Sequence, residues 1–331
     1  MTDVVAVTGA DGFIGSHLIE SLVRRGSRVR AMVMYNSFGS RGWLDALEPD
    51  LLDNVDVRPG DIRDGRLVHD FVDGAEVVYH LAALIAIPYS YRAPKSYVDT
   101  NVTGTLNVLD AVRDCRTPRL VHTSTSEVYG TARTVPISEE HPLQAQSPYA
   151  ASKTSADKLV ESYHLSFGVP AVVLRPFNTF GPRQSARAVI PTVISQLASG
   201  PRTIMLGALD PTRDFLYVKD TVDAFVSVGT APEHGVVGEV FNAGTGAEVS
   251  IGRLAEDIAR LMGHTVRLTH DPQRVRPPAS EVMRLVADAS KLHSATGWHP
   301  RHARDDGLLE TIEWFVDPVN LARYRPEQYN Q

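Results

Sequence analysis

The chain has 331 residues, and 33 Lys and Arg against 39 Asp and Glu leave a formal net charge of −6. This mild acidity argues against nucleic-acid binding, and no apolar run approaches the roughly 20 residues that a membrane helix needs. A single cysteine, Cys115, excludes an internal disulfide framework. No basic leader opens the sequence, so we expect a cytoplasmic protein that binds neither nucleic acid nor a membrane.

Over the first 175 residues, short β-branched runs alternate with longer segments of helical spacing. Apolar runs without period-two alternation are typical of strands covered on both faces, so we predict an α/β fold with a Rossmann-like doubly wound parallel sheet. The predicted strands are Val4–Thr8, Arg28–Val33, Val55–Arg58, Val77–Leu81, Leu120–Thr123 and Ala171–Arg175. The predicted helices include Ile14–Arg25, Val102–Asp114 and Ala151–Phe167.

The pattern changes after Pro176, where Gly, Pro and Arg become frequent. One later run, Val240–Ala243, again looks like a strand and could return to the sheet. We therefore predict a dinucleotide-binding domain over 1–175, with about 215–245 returning to it. A smaller C-terminal α/β substrate lobe would comprise 176–214 and 246–331.

The glycines Gly9, Gly12 and Gly15 follow the first strand and open the first helix. Glycine lets the backbone approach a pyrophosphate, whose charge is stabilised by the free N–H groups of the helix N-terminus. The G-x-x-G-x-x-G spacing at this place predicts a dinucleotide cofactor. The predicted cofactor-binding residues are Gly9, Asp11, Gly12, Phe13, Ile14, Gly15, Asn36, Ser37, Asp61, Ile62, Leu81, Ala82, Ala83, Thr123, Tyr149 and Lys153.

The choice between NAD and NADP stays open from the sequence. An NAD site usually has an acidic residue after the second strand, and this chain has none there. Asn36 and Ser37 are uncharged and could accept either cofactor, while Arg41 could pair with a 2′-phosphate. No metal is expected, because none of the histidines stands at ligand spacing from cysteine or acidic residues.

Two further motifs carry side chains suited to proton transfer. Tyr149 and Lys153 are four residues apart in a predicted helix, where an ammonium favours tyrosinate and lowers the phenol pKa from about 10. Such a tyrosine can take a proton from a sugar hydroxyl while the carbon gives hydride to a nicotinamide. Thr125, Ser126 and Glu127 follow the fifth strand, at the edge where open α/β sheets bind ligands.

Together these motifs resemble the extended short-chain dehydrogenase/reductase family, in its nucleotide-sugar epimerase/dehydratase branch. The resemblance implies a tightly bound NAD or NADP recycled in each turnover, a nucleotide diphosphate sugar substrate, and a role in carbohydrate biosynthesis. It also implies a homodimer built from the helices near Val102–Asp114 and Ala151–Phe167. The residues that carry it are Gly9–Gly15, Asp61, His80–Ala83, Ser124–Gly130, Tyr149–Lys153, Arg175–Asn178, Gly181, Pro182, Arg213–Phe215, Tyr217 and Asp220.

Within this branch, Thr125, Ser126 and Glu127 match the arrangement of 4,6-dehydratases of the GDP-mannose type. The resemblance implies that Glu127 removes the C5 proton after C4 oxidation, and that Ser126 or Glu127 protonates the departing C6 hydroxyl. Tyr35–Phe38, Gly42–Asp45 and Arg276–Val282 resemble dehydratases of the legionaminic-acid type, which act on nucleotide-linked N-acetylglucosamine. The implied substrate-binding residues are Thr125, Asn178, Arg213 and Arg276.

Other activities stay open. UDP-glucuronic acid decarboxylases share the Thr-Ser-Glu loop but carry an additional arginine before an Asn-Ala pair, where this chain has Ala287–Ala289. We favour dehydration of UDP- or GDP-linked N-acetylglucosamine, with decarboxylation and 4-epimerisation as alternatives. A non-catalytic NAD(P)-binding sensor or scaffold is disfavoured because the tyrosine, the lysine and the acidic loop are all present.

Overall fold

A computed structural model describes residues 4–200 and 203–325, and these contain fourteen strands. They are β1 Val4–Thr8, β2 Arg28–Met34, β3 Val55–Gly60, β4 Val77–His80, β5 Arg119–Thr123, β6 Ala171–Pro176, β7 Asn178–Phe180, β8 Thr203–Leu206, β9 Thr212–Arg213, β10 Phe215–Tyr217, β11 Val240–Ala243, β12 Val249–Ser250, β13 Arg267–His270 and β14 Arg284–Leu285.

The α-helices of the same residues are α1 Phe13–Arg24, α2 Pro49–Leu52, α3 Gly65–Val72, α4 Ile87–Arg92, α5 Pro94–Tyr97, α6 Gly104–Cys115, α7 Pro148–Phe167, α8 Val189–Ala198, α9 Val218–Thr230, α10 Ile251–Leu261, α11 Ser290–Thr296, α12 Arg304–Val316 and α13 Pro318–Leu321. A π-helical turn over Val98–Thr103 leads into α6, and short 3-10 turns cover Gly42–Ala46, Ser126–Tyr129, Pro272–Arg274 and Pro278–Ser280. Within the described ranges, none of the helices is both long and apolar enough to span a bilayer.

The main sheet has seven parallel strands in the order β11-β6-β5-β4-β1-β2-β3. The sequence-predicted fold class is confirmed, and each predicted strand is found to within two residues. The late run Val240–Ala243 does return to the sheet, where it pairs with β6. Shorter strand groups lie outside this sheet, in the orders β10-β7, β12-β9-β14 and β13-β8. The boundaries of the two lobes stay a prediction.

Successive residues of β1 show why its sequence lacks alternation. Ala6 packs on one face of the sheet with Val68 of α3 and Val108 of α6, whereas Val7 packs on the other face with Leu18 of α1. Both β1 residues are fully buried. Helices therefore cover both faces of the sheet, and ligands have access mainly at the strand ends.

Local signals set the ends of α7, the helix that carries Tyr149 and Lys153. The Ser147 hydroxyl caps its N-terminus by accepting a hydrogen bond from the Ala150 N–H at 3.1 Å, and Pro148 occupies the first turn. Gly168 ends the helix in the left-handed conformation. These caps place Tyr149 in the first turn, next to the carboxyl end of β5.

Candidate active site

A cavity of about 940 Å³ opens at the carboxyl ends of the sheet strands. Its wall includes the sequence-predicted catalytic and substrate-binding residues and all but two of the predicted cofactor-binding residues. The predicted residues on the wall are Gly9, Asp11, Gly12, Phe13, Ile14, Gly15, Asp61, Ile62, Leu81, Ala82, Ala83, Thr123, Thr125, Ser126, Glu127, Tyr149, Lys153, Asn178, Arg213 and Arg276.

The glycine loop between β1 and α1 forms a close-fitting cradle at one end of this cavity. Gly9 has φ +69°, and a Cβ there would lie 2.7 Å from the Ala82 nitrogen. A Cβ on Gly15 would overlap the Gly9 carbonyl oxygen. Gly12 caps α1 without any side-chain hydrogen bond, so the first N–H groups of the helix remain available. A pyrophosphate fits this cradle, because bare backbone and a helix N-terminus are the groups that bind it.

Asn36 and Ser37 are the two predicted cofactor residues that the cavity wall lacks. The Asn36 amide donates to the Ser40 carbonyl at 2.7 Å and accepts from the Phe38 N–H at 3.1 Å, so it stabilises its own loop. The neighbouring Arg41 forms an ion pair with Asp45, with Nε and Oδ1 2.8 Å apart. A contact of Asn36 and Ser37 with the cofactor stays a prediction, without support from this geometry.

The reacting residues meet where β5 ends beside α7. The Lys153 ammonium donates to the Thr123 carbonyl at 2.6 Å, and Thr125 lies close enough to the Tyr149 phenol to lower its pKa. The Thr125 hydroxyl also accepts from the Glu127 N–H at 3.3 Å, which begins the 3-10 turn that carries Ser126 and Glu127. A phenol, a hydroxyl pair and a carboxylate thus face one end of the cavity.

Burial decides the charge of the Tyr149–Lys153 pair. It raises the pKa of Tyr149 well above its ordinary value, and the nearby Thr125 hydroxyl lowers it only in part. Burial also lowers the pKa of Lys153 to about 8. The sequence-based expectation that Lys153 lowers the Tyr149 pKa is therefore not met in the protein alone. The cost of desolvating tyrosinate is larger than the stabilisation that the Lys153 ammonium gives it.

Arg213 and Arg276, also on the cavity wall, share one carboxylate. Nη2 of Arg213 lies 3.5 Å from Oε1 of Glu281, and Nη1 of Arg276 lies 3.6 Å from the same oxygen. Burial lowers the pKa of Arg213, and Glu127 and Glu281 raise it in return. Asn178 lies nearby on the cavity wall, and its buried Oδ1 has no hydrogen-bond partner among the described residues. Cations and an available amide are the groups that would bind a diphosphate sugar.

Position 287, used above to weigh decarboxylation, lies away from the cavity wall. Ala287 is 2% exposed, and its N–H donates to the buried Asp214 carboxylate at 3.1 Å. The side chain packs against Gly244.

Sequence reasoning missed several parts of the wall. Glu281 was noticed only within a subfamily motif, and nothing in its spacing indicates that it faces Arg213 and Arg276. Other residues of the wall also escaped, because they become neighbours of the site only through the fold. They lie in the segments 84–89, 184–185 and 188–190.

Comparison with known proteins fits this geometry. A family profile described as GDP-mannose 4,6 dehydratase matches residues 6–311. The chain belongs to the extended short-chain dehydrogenase/reductase family of nucleotide-sugar epimerases and dehydratases. Members of this family are NAD(P)-dependent enzymes. This confirms the family resemblance, the cofactor class and the enzymatic activity that we expect from the sequence.

Individual family members similar to this chain catalyse different reactions. A UDP-N-acetyl-alpha-D-glucosaminuronate decarboxylase of Bacillus cytotoxicus is 33% identical, over 95% of this chain and 98% of its own. A UDP-glucose 4-epimerase of Mycolicibacterium smegmatis is also 33% identical, over 93% of this chain and 97% of its own. One solved structure is that of DesIV, a dTDP-glucose 4,6-dehydratase from Streptomyces venezuelae with NAD and TYD bound. It matches this chain with a TM-score of 0.86 and 28% identity, over 98% of this chain and 99% of its own. Overall similarity thus leaves the reaction to be argued from the site.

Proposed function

We propose that this family member is a nucleotide-sugar 4,6-dehydratase, which converts an NDP-hexose to the 4-keto-6-deoxy sugar. The supporting observation is the position of Glu127 and Ser126, which line the cavity directly beside Thr125 and Tyr149. A 4-epimerase needs only a base and a hydride acceptor at C4. An additional carboxylate and hydroxyl at the same end supply the proton transfers that elimination across C5 and C6 requires.

In the proposed mechanism, Tyr149 takes the proton from the O4 hydroxyl, and Thr125 holds that oxygen by a hydrogen bond. A nicotinamide cofactor held at the Gly9–Gly15 loop would supply the hydride acceptor for C4 and the hydride donor for C6. The C4 ketone makes the C5–H bond acidic, and Glu127 removes that proton. Ser126 or Glu127 then protonates the C6 hydroxyl, which leaves as water. A proton returns to C5 as hydride reaches C6, so the cofactor ends the cycle unchanged.

We infer that the substrate is UDP- or GDP-linked N-acetylglucosamine and that the enzyme acts as a homodimer. The substrate proposal rests on the subfamily resemblance of Tyr35–Phe38, Gly42–Asp45 and Arg276–Val282. Arg213, Arg276 and Asn178 would hold the diphosphate and sugar. The dimer proposal rests on the family resemblance and on the exposed face of α7. A cytoplasmic location also stays a prediction.

Decarboxylation is the second candidate, and one observation favours it. Arg213 lies close enough to Glu127 for Glu127 to be the largest charge that raises its pKa, so a cation is near the predicted C5 and C6 end. A C6 carboxylate could pair with it. In that reaction Tyr149 and Thr125 keep their roles, and the C4 ketone allows carbon dioxide to leave from C5.

Product analysis distinguishes these reactions. The enzyme would be incubated with UDP- and GDP-linked N-acetylglucosamine, glucose, mannose and glucuronate, with NAD or NADP, and the products measured by mass spectrometry. Loss of one water from a neutral sugar is expected. Loss of carbon dioxide from the glucuronate would transfer the assignment to decarboxylation. Unchanged mass with an altered NMR spectrum would show an epimerase, and an unaltered spectrum would overturn the enzyme assignment for these sugars.

Substitution of Glu127 tests its assigned step. Glu127→Gln removes the base for C5 but leaves Tyr149 and Thr125, so we expect oxidised substrate and reduced cofactor to accumulate, seen by nicotinamide fluorescence. Loss of turnover should be at least about a hundredfold. Tyr149→Phe is the matched control, which should prevent cofactor reduction altogether. If Glu127→Gln still forms dehydrated product at the normal rate, the proposed role of Glu127 is wrong.

A further inference from the structure

Beneath the reacting residues lies a buried polar cluster that the proposed mechanism does not use. It consists of His80, His122, Asp157 and Arg175, each at most 4% exposed. Asp157 lies on α7, one helical turn after Lys153 and two turns after Tyr149, and it does not line the cavity. A buried carboxylate destabilises the folded protein unless it is paired, so the contacts of Asp157 must compensate for its burial.

Three hydrogen bonds converge on one oxygen of Asp157. Its Oδ2 accepts from the Ser124 hydroxyl at 2.8 Å, and from Nε and Nη2 of Arg175 at 3.1 and 2.9 Å. Its Oδ1 has no hydrogen-bond partner among the described residues and lies 3.5 Å from Nε2 of His122. Burial by itself raises the Asp157 pKa, but His122, Arg175 and Ser124 together hold it below its ordinary value. Asp157 is therefore a carboxylate anion.

Ser124 connects this anion to the reacting residues. It lies between Thr123, whose carbonyl accepts a hydrogen bond from the Lys153 ammonium, and Thr125, which is close enough to Tyr149 to lower its pKa. The Ser124 N–H also donates to the Leu174 carbonyl at 2.7 Å, so its backbone and side chain are both held. One side chain on α7 thus anchors the strand end that sets the distance between Thr125 and Tyr149.

Asp157 is also the charge that acts on Lys153. Burial lowers the pKa of Lys153 to about 8, and Asp157 is the group that opposes this shift. Two other titratable groups interact with the ammonium, His80 on β4 and His122 on β5. Burial lowers the pKa of both histidines, to about 4 for His122, so they are neutral near pH 7. Arg175 is already paired with Asp157.

We propose that Asp157 is a positioning residue for the reaction: it keeps the Lys153 ammonium charged and, through Ser124, holds Thr125 against Tyr149. A purely structural Asp157 would neutralise Arg175 and do nothing more. The two roles differ in their consequences at alkaline pH. The proposal rests on the assigned roles of Tyr149 and Lys153, and its test therefore includes a measurement that does not depend on turnover.

The test is Asp157→Asn, whose amide oxygen can still accept from Ser124 and Arg175. The chain has five lysines, so the Nζ resonance of Lys153 can be followed by NMR and assigned with Lys153→Arg. We expect the Lys153 pKa to fall by about one unit in the variant. The alkaline limb of kcat should move to lower pH by the same amount, while KM changes little because Asp157 does not line the cavity.

Ser124→Ala is the matched control, since it removes the anchor but leaves the charge. It should lower kcat without moving the Lys153 titration. If Asp157→Asn does not fold, Asp157→Asn combined with Arg175→Gln removes both charges and should show the same shift. An unchanged Lys153 titration in a folded variant overturns the proposal. A shifted titration with an unchanged pH profile of kcat would instead contradict the role assigned to Lys153.

Discussion

At the scale of single residues, burial controls the ionisable groups below the site. His80 and His122 are both buried, and their imidazole rings lie 5.5 Å apart on neighbouring strands. His80 is hydrogen-bonded on both sides, to the Thr8 and Thr105 hydroxyls at 2.8 and 3.1 Å. Because a cation there would be desolvated and close to Lys153, the fold keeps these rings neutral. Protonation of these rings at acid pH should therefore lower the stability of the protein.

We expect the free energy of unfolding to fall as the pH falls from 6.5 to about 4. The pKa of His122 is lowered to about 4 in the folded protein, so over this range the unfolded chain binds a proton that the folded protein excludes. At about 1.4 kcal/mol per pKa unit, this residue contributes a loss approaching about 3 kcal/mol.

Urea unfolding between pH 7 and 4.5 would measure this effect. His122→Asn should show a weaker dependence on pH than the natural protein. His264→Asn, at an exposed histidine, is the control and should keep the natural dependence. Equal slopes for the two variants would show that His122 does not couple stability to pH.

At the scale of elements, the loop after β2 shows how local structure modifies a sequence-based expectation. Asn36 was placed at the cofactor by its position after the strand, yet its amide bonds the loop's own backbone at Ser40 and Phe38. Asp11 instead reaches this corner, where its carboxylate accepts from the Met34 N–H at 3.1 Å. Strand periodicity predicts where a loop begins, but hydrogen bonds within the loop decide which side chains remain available.

We expect the enzyme to prefer NAD to NADP, because Arg41, the candidate partner for a 2′-phosphate, is paired with Asp45. Asp45→Asn should release Arg41 and strengthen NADP binding to cofactor-free enzyme by about tenfold, measured by calorimetry. Adding Arg41→Ala to Asp45→Asn should remove that gain. The same gain in both variants would show that Arg41 is not the group that Asp45 restrains.

At the scale of the whole molecule, contacts between distant segments join the loop after β7 to α1. His17 of α1 is hydrogen-bonded to the Pro182 carbonyl at 3.0 Å, and Arg183 pairs with Glu20 at 3.1 Å. On the other side of the sheet, α6 and α7 pack together and leave one face of α7 exposed. The exposed residues of α7 include the small Ala151, Ser155 and Ser162 and the paired Lys158 and Glu161, and a second copy would contact them there.

The homodimer proposal can be tested at this face. Ser155→Arg places a long cation among the small residues and should convert a dimer to a monomer, as measured by size-exclusion chromatography with light scattering. Ser294→Arg on α11 is the matched control, since both serines are exposed and bond a carbonyl one turn earlier. A natural protein that is already monomeric, or a dimeric Ser155→Arg variant, would contradict the proposed interface.

The sequence by itself determined the fold class, the strand positions and most of the predicted residues that line the cavity. These depend on local signals: β-branched runs set the strands, the glycine spacing over Gly9–Gly15 marks the loop after the first strand, and parallel strands bring their carboxyl ends to one edge. Only the tertiary structure decided the charge of Tyr149 and Lys153, the pairing of Glu281 with two arginines, and the place of Asp157 below the site. Desolvation and pairing depend on which distant segments surround a side chain, and residue order alone does not specify those neighbours.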